Sequence, residues 1–118
     1  MAASTTRADD PVTLTVDADG VQRGAIVLDS YSYAPSHLVV EVGKPVELTL
    51  TKEGFAPHDF VIDDPAFGLT IKQGVGGDPA TITFTPTKTG TFAFYCSKKM
   101  PFGSSHQQKG MEGVLEVR

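Results

Sequence analysis

Cys96-Ser-Lys-Lys-Met100-Pro-Phe-Gly-Ser-Ser-His106-Gln-Gln-Lys-Gly-Met111 is the stretch that organises this chain. It holds the only cysteine, one of three histidines and two of three methionines. A strand-like run, Thr91-Phe-Ala-Phe-Tyr95, leads into it, and another, Gly113-Val-Leu-Glu-Val-Arg118, leaves it. Far upstream lies Pro57-His58-Asp59-Phe60. A thiolate and two imidazoles in a trigonal set, with a weak axial thioether, form an electron-transfer copper site. The soft sulfur ligands suit Cu(I), and imidazole suits both oxidation states. We therefore read His58, Cys96, His106 and Met111 as converging on one copper ion, with the rest of the chain as a rigid scaffold.

Working outward, the pattern is all-β. Val and Thr recur, no long helical period is present, and Gly and Pro punctuate the chain at short intervals. Val12 to Val16 alternates and reads as a first strand, ended by the turn signal Asp17-Ala-Asp-Gly20. Ala25 to Tyr31 is the next. Pro35 breaks it, and Leu38 to Val42 resumes before Gly43-Lys-Pro45 turns the chain into Val46 to Lys52. Leu38, Val40 and Val42 share one face, as do Val46, Leu48 and Leu50, so one sheet face is buried. Glu53-Gly-Phe-Ala-Pro57 is a loop delivering His58 to the strand Phe60-Val-Ile62. Phe67 to Lys72 is expected at a sheet edge, and residues 73–79 as a turn-rich connection. Thr81 to Phe84 alternates again. On the strand before the cysteine, Phe92, Phe94 and Cys96 share a face, which sets two aromatics beneath the thiolate and keeps water away from it. About eight strands result, the content of a two-sheet Greek-key β-sandwich.

The combined order of these pieces resembles the cupredoxins, the type 1 (blue) copper family. The resemblance rests on Pro57-His58 followed by a hydrophobic run, then Gly90-Thr-Phe-Ala-Phe-Tyr-Cys96, His106 and Met111. Tyr31-Ser-Tyr-Ala-Pro35, Leu38 to Gly43 and Val46 to Leu50 are similar to the family's early strands, so the resemblance covers roughly residues 25–118. It implies a cupredoxin-like fold holding one type 1 copper. Electrons would enter and leave at an exposed His106 edge.

Three positions depart from the family's pattern. Nine residues separate Cys96 from His106, a longer loop than in the simplest blue proteins and similar to that of copper nitrite reductases. That implies a greener site with a stronger axial methionine. Asp59 follows the first histidine where the family often has Asn, and an ionised Asp59 would favour Cu(II) and lower the potential. Tyr95 precedes Cys96 where nitrite reductases place a histidine for a second, catalytic copper, which argues against nitrite reduction. Taken singly, Cys96 would read as a buried structural thiol, His58 as a capped core histidine and Met111 as core filler; their joint order favours ligation. Met100 competes for the axial position, but it is expected to form a hydrophobic lid with Pro101 and Phe102. His37 reads as a surface histidine.

The chain has 118 residues, enough for one domain with a real core. Residues 1–10 are polar and expected to be a disordered tail, leaving 11–118 as a single cupredoxin domain. They lack the apolar core of a signal peptide. A mature chain with its signal removed is therefore expected, and the family implies the periplasm. No apolar run approaches the roughly 18 residues that span a membrane. Ten basic and fourteen acidic residues give a net charge of −4. Residues 97–110 carry Lys98, Lys99 and Lys109 and no acid, so the remainder stands at −7. A redox partner protein with an acidic docking patch would be steered to that basic loop. An acidic chain without a basic stripe offers nothing to nucleic acid.

Three functional readings follow. The leading one is a small soluble one-electron carrier, monomeric and not itself an enzyme. The second is a periplasmic copper-binding protein for copper tolerance or homeostasis, because the long loop and Ser105-His-Gln-Gln-Lys-Gly-Met-Glu-Gly113 look similar to stand-alone green cupredoxins linked to copper tolerance. The third, a nitrite reductase domain, is disfavoured by Tyr95.

Overall fold

The computed structural model describes residues 10–65, 68–98 and 105–118. Residues 1–9 of the expected tail and the lid of Met100, Pro101 and Phe102 lie outside the described residues. Among the described residues eleven strands are present: β1 (Val12–Thr13), β2 (Thr15–Val16), β3 (Gln22–Asp29), β4 (Ser32–Ala34), β5 (His37–Val40), β6 (Val46–Lys52), β7 (His58–Asp64), β8 (Leu69–Val75), β9 (Ala80–Phe84), β10 (Gly90–Tyr95) and β11 (Glu112–Val117). They form two sheets. One runs β1-β5-β11-β10-β7-β8; the other runs β2-β3-β6-β9, with β4 paired to β3. Strands adjacent in a sheet are mostly distant in sequence, so crossovers between the layers close the sandwich.

The count exceeds the expected eight because short pieces stand apart. The alternating run from Val12 to Val16 is two strands, not one. β1 pairs with β5 in the first sheet, and β2 pairs with β3 in the second. Between them Leu14 is buried and donates its N–H to Val39 O at 3.0 Å. The chain thus passes from one layer to the other with its hydrophobic residue inside. Gly24 makes room for it, since a Cβ there would stand 2.6 Å from Leu14 Cδ2. Residues 73–75, read as part of a connection, instead continue β8 and pair with β7, Gly74 opposite Asp59. β8 is an edge strand as its sequence suggested. Val42 falls beyond the end of β5 and is exposed, whereas Leu38 and Val40 are buried as the alternation required.

The core sits between the layers: Ile26, Leu28, Leu48 and Leu50 from one sheet face Leu38, Ile62, Phe92, Phe94 and Leu115 from the other. At about 25 cal/mol per Å² of apolar surface removed from water, this layer is the main source of stability. β10 and β11 matter most for the site. They pair antiparallel with Phe92 opposite Leu115, Phe94 opposite Gly113 and Tyr95 opposite Glu112. Gly113 is required there: a Cβ would stand 2.4 Å from the Phe94 ring and 2.5 Å from Ser36 O. The Phe94 ring lies across the glycine.

Candidate metal centre

The β10–β11 ladder continues one step past its strands. Cys96 N–H donates to Met111 O at 3.2 Å, so the two residues that bracket the ligand loop are joined at its base. Above that base, His106 N–H donates to Lys98 O at 2.9 Å, and Met111 N–H donates to His106 O at 3.0 Å. The segment from Ser105 to Gly110 is a tight turn with sequence causes. Ser105 Oγ accepts from Gln108 N–H, Gln108 Oε1 accepts from Ser105 N–H, and Gly110 ends the turn at φ +100°. His58 opens β7, held opposite Val75 of β8.

Three side chains meet here. Cys96 Sγ lies 3.5 Å from His106 Nδ1 and 3.9 Å from His58 Nδ1, and the three donor atoms fall within 4.8 Å of one another. The imidazole rings are 5.1 Å apart, edge to face. Metal bonds to imidazole and thiolate of roughly 2.0–2.3 Å put trigonal donors about 3.5–4.0 Å apart, so these donors already stand at the spacing of a shared first-row ion. The set of one soft sulfur and two nitrogens fits copper. Met111 comes with them. It is buried, and its backbone is bonded to both Cys96 and His106.

Burial shapes the chemistry of each group. It pushes both imidazoles below the ordinary 6.5, aided at His58 by His106 and at His106 by Lys109. They are therefore neutral, with lone pairs free to ligate. Burial also raises the Cys96 thiol, against backbone hydrogen bonds to the sulfur from Asp59 and Lys98. A bound cation would reverse that and hold the thiolate.

Asp59 is buried beside the site. Its carboxylate accepts from Ser97 N–H at 2.7 Å and from the Ser97 hydroxyl. Asp59 thus braces the ligand loop by accepting twice from the residue after Cys96. Below lies an aromatic floor. Phe60 and Phe94 are 4.7 Å apart, and Tyr33 meets Phe94 edge-on at 4.9 Å while donating its hydroxyl to Asp59 O at 2.6 Å. Phe92 and Phe94 are buried on one face with Cys96, as the alternation implied.

His37 stands elsewhere, at the start of β5, 3.1 Å from Glu116 Oε1. It is absent from the donor cluster among the described residues. His106, expected at an exposed edge, is only 1% exposed. Its ring is covered by Tyr31, centroids 4.9 Å apart, and Lys109 Nζ lies 4.8 Å over the Tyr31 ring. Ser30 Oγ lies 3.4 Å from His58 Nε2. The β3–β4 turn thus touches both imidazoles. Tyr31, expected at the end of a strand, lies instead in this turn; the signal for it is Ser30-Tyr-Ser-Tyr33, a polar–aromatic alternation ahead of Pro35.

The cupredoxin-like domain family matches residues 2–114 of the chain. No curated protein matches by sequence. Among solved structures, the metal binding domain of the Cu(I)-exporting P-type ATPase CopA of Streptococcus pneumoniae D39, with Cu(I), is similar at TM-score 0.71. It shares 21% identity, over 92% of this chain and 96% of that one. Dithionite-reduced auracyanin from the photosynthetic bacterium Roseiflexus castenholzii is similar at TM-score 0.63 and 21% identity, over 86% and 99%. The copper-containing nitrite reductase of Thermus scotoductus SA-01 is similar at TM-score 0.61 and 20% identity, over 92% of this chain but 28% of the enzyme.

Proposed function

The chain belongs to the cupredoxin-like family, and from that premise we propose that it is a type 1 copper protein acting as a one-electron carrier. The observation that carries the reading is the buried meeting of one thiol and two neutral imidazoles, 3.5 and 3.9 Å from sulfur to nitrogen. His58, Cys96 and His106 would hold the ion, and Met111 would be the axial ligand. Bound copper would supply the chemistry by cycling between Cu(II) and Cu(I). The chain's own residues would do the rest. Strand ends and the closed loop base hold the donors at fixed spacing in both states, which keeps reorganisation small. The aromatic floor excludes water. Backbone N–H groups from Asp59 and Lys98 spread charge away from the sulfur. Export to the periplasm, a monomeric state and an acidic redox partner belong to the same reading. Nitrite reduction does not: Tyr95 precedes Cys96 where nitrite reductases place a histidine for a second copper.

Visible absorption and EPR after one equivalent of Cu(II) test the proposal. An intense thiolate-to-copper band is expected, with a strong short-wavelength component. Weak d-d absorption alone would remove Cys96 from the site and the carrier reading with it.

The second reading is copper binding for tolerance or homeostasis, favoured by the likeness to a Cu(I)-bearing domain of an exporter. Covered imidazoles favour retention over release, and thus the carrier. Competition against a Cu(I) chelator separates the two. Retention over hours supports the carrier; rapid, complete transfer supports the copper handler.

A further inference from the structure

The imidazole edge that would serve as contact for a partner is sealed. His58 and His106 are each 1% exposed, and the turn between β3 and β4 covers both. A column of groups leads out: Cys96 sulfur, His106 ring at 3.5 Å, Tyr31 ring edge-on at 4.9 Å, then Lys109 ammonium at 4.8 Å over the tyrosine. Tyr31 is partly exposed and Lys109 is exposed. Among the described residues, the outermost π-system touching a donor of the site is therefore a tyrosine and not an imidazole. An aliphatic side chain would seal the site equally well. Edge-on contact with an imidazole and a cation on the outer ring face are properties that only an aromatic supplies.

We propose that Tyr31 is the port through which electrons reach the metal, and that Lys109 beside it selects an acidic one-electron partner protein. The proposal rests on the copper reading above. The step is simple: one electron leaves the reduced partner and converts Cu(II) to Cu(I). No bond forms or breaks, no proton moves, and the phenol stays intact as contact and coupling medium. Charge on the His58 side is balanced, with Lys52, its ammonium 3.3 Å from Ala56 O, set against Asp29, whose carboxylate accepts from Ser30 N–H at 2.8 Å; the cation at the port itself is Lys109 over the Tyr31 ring. Attraction of an anionic partner to such a surface weakens as salt rises.

The test uses the full chain loaded with copper and reduced. Oxidation by hexacyanoferrate(III), a small anionic acceptor, is followed by stopped flow, with absorption, EPR and proton NMR on each variant. Tyr31→Phe should keep the parent rate. Tyr31→Leu should slow oxidation severalfold with an unchanged thiolate band. Lys109→Gln should slow it and flatten its salt dependence. In the Cu(II) form, Tyr31 ring protons should be broadened well beyond those of Tyr95. Parent-rate oxidation in Tyr31→Leu, or faster oxidation in Tyr31→Ala, would make Tyr31 a cover only and overturn the proposal. Should the Leu variant lose its band, the Lys109→Gln arm decides: an unchanged rate and salt slope overturn the proposal. Absence of the thiolate band in the parent protein is a separate outcome. It sinks the copper reading, and the port falls with it.

Discussion

Asp59 and Met111 act on the site from different directions. Asp59 sits behind the sulfur, its carboxylate tied to Ser97 and its backbone N–H on Cys96. Asp59→Asn keeps an acceptor for Ser97 N–H and an amide that can donate to the hydroxyl, so the brace survives while the charge goes. Loss of a nearby negative charge favours Cu(I). The potential should rise on the order of 60 mV, the one-electron equivalent of a tenfold preference, read by redox titration with the absorption band retained. An unchanged potential would mean the Ser97 hydroxyl already screens the charge. Met111 is buried and backbone-bonded to both Cys96 and His106. As axial ligand, its change to Leu should shift absorption from the shorter to the longer charge-transfer band. No change would move the axial role elsewhere, with Met100 the first residue to substitute next.

Among the elements, β10 and β11 set the floor, and Gly113 is where they are most tightly constrained. Gly113→Ala would drive a methyl into the Phe94 ring and Ser36 O. Overpacking of this kind costs about 1–3 kcal/mol, read as a lower urea midpoint, and should weaken the thiolate band because Phe94 lies under Cys96. The strands that build this floor were legible in the sequence because period-two alternation marks one buried face: Phe92 and Phe94, and Leu48 and Leu50, all lie inside. The donor cluster of His58, Cys96 and His106 was legible from order and residue type. Other features were not. The split of Val12 to Val16 between two sheets has no local signal, since alternation is the same in either layer. Tyr31 on His106 and Ser97 on Asp59 are tertiary contacts across 75 and 38 positions. The polar–aromatic alternation of residues 30–33 marks an aromatic turn but not its partner, and no local pattern marks the second contact.

For the whole molecule, burial of the donor groups makes the copper-free protein sensitive to pH in both directions. His58 and His106 are held below 6.5 when folded, so in acid the unfolded chain binds protons that the folded chain refuses. Stability should fall as pH drops below about 6.5. The Cys96 thiol is raised above its ordinary 9.0, so above that value the unfolded chain ionises first and stability falls again. Thermal melts from pH 4 to 10 should therefore show a plateau between the two arms. Copper, bound only by the folded state, should raise the melting temperature and move the acid arm to lower pH. A thousandfold excess over Kd is worth about 4 kcal/mol, and a chelator should return the chain to its metal-free curve. The hydrogen bond from Cys96 to Met111 has a consequence on a longer timescale. Because the ladder is already closed beneath the loop, residues can be gained or lost between Cys96 and His106 without shifting the register of either sheet. The ligand loop is in that sense a detachable cassette, and a lineage could change the colour and potential of the centre by insertion and deletion while inheriting the same sandwich.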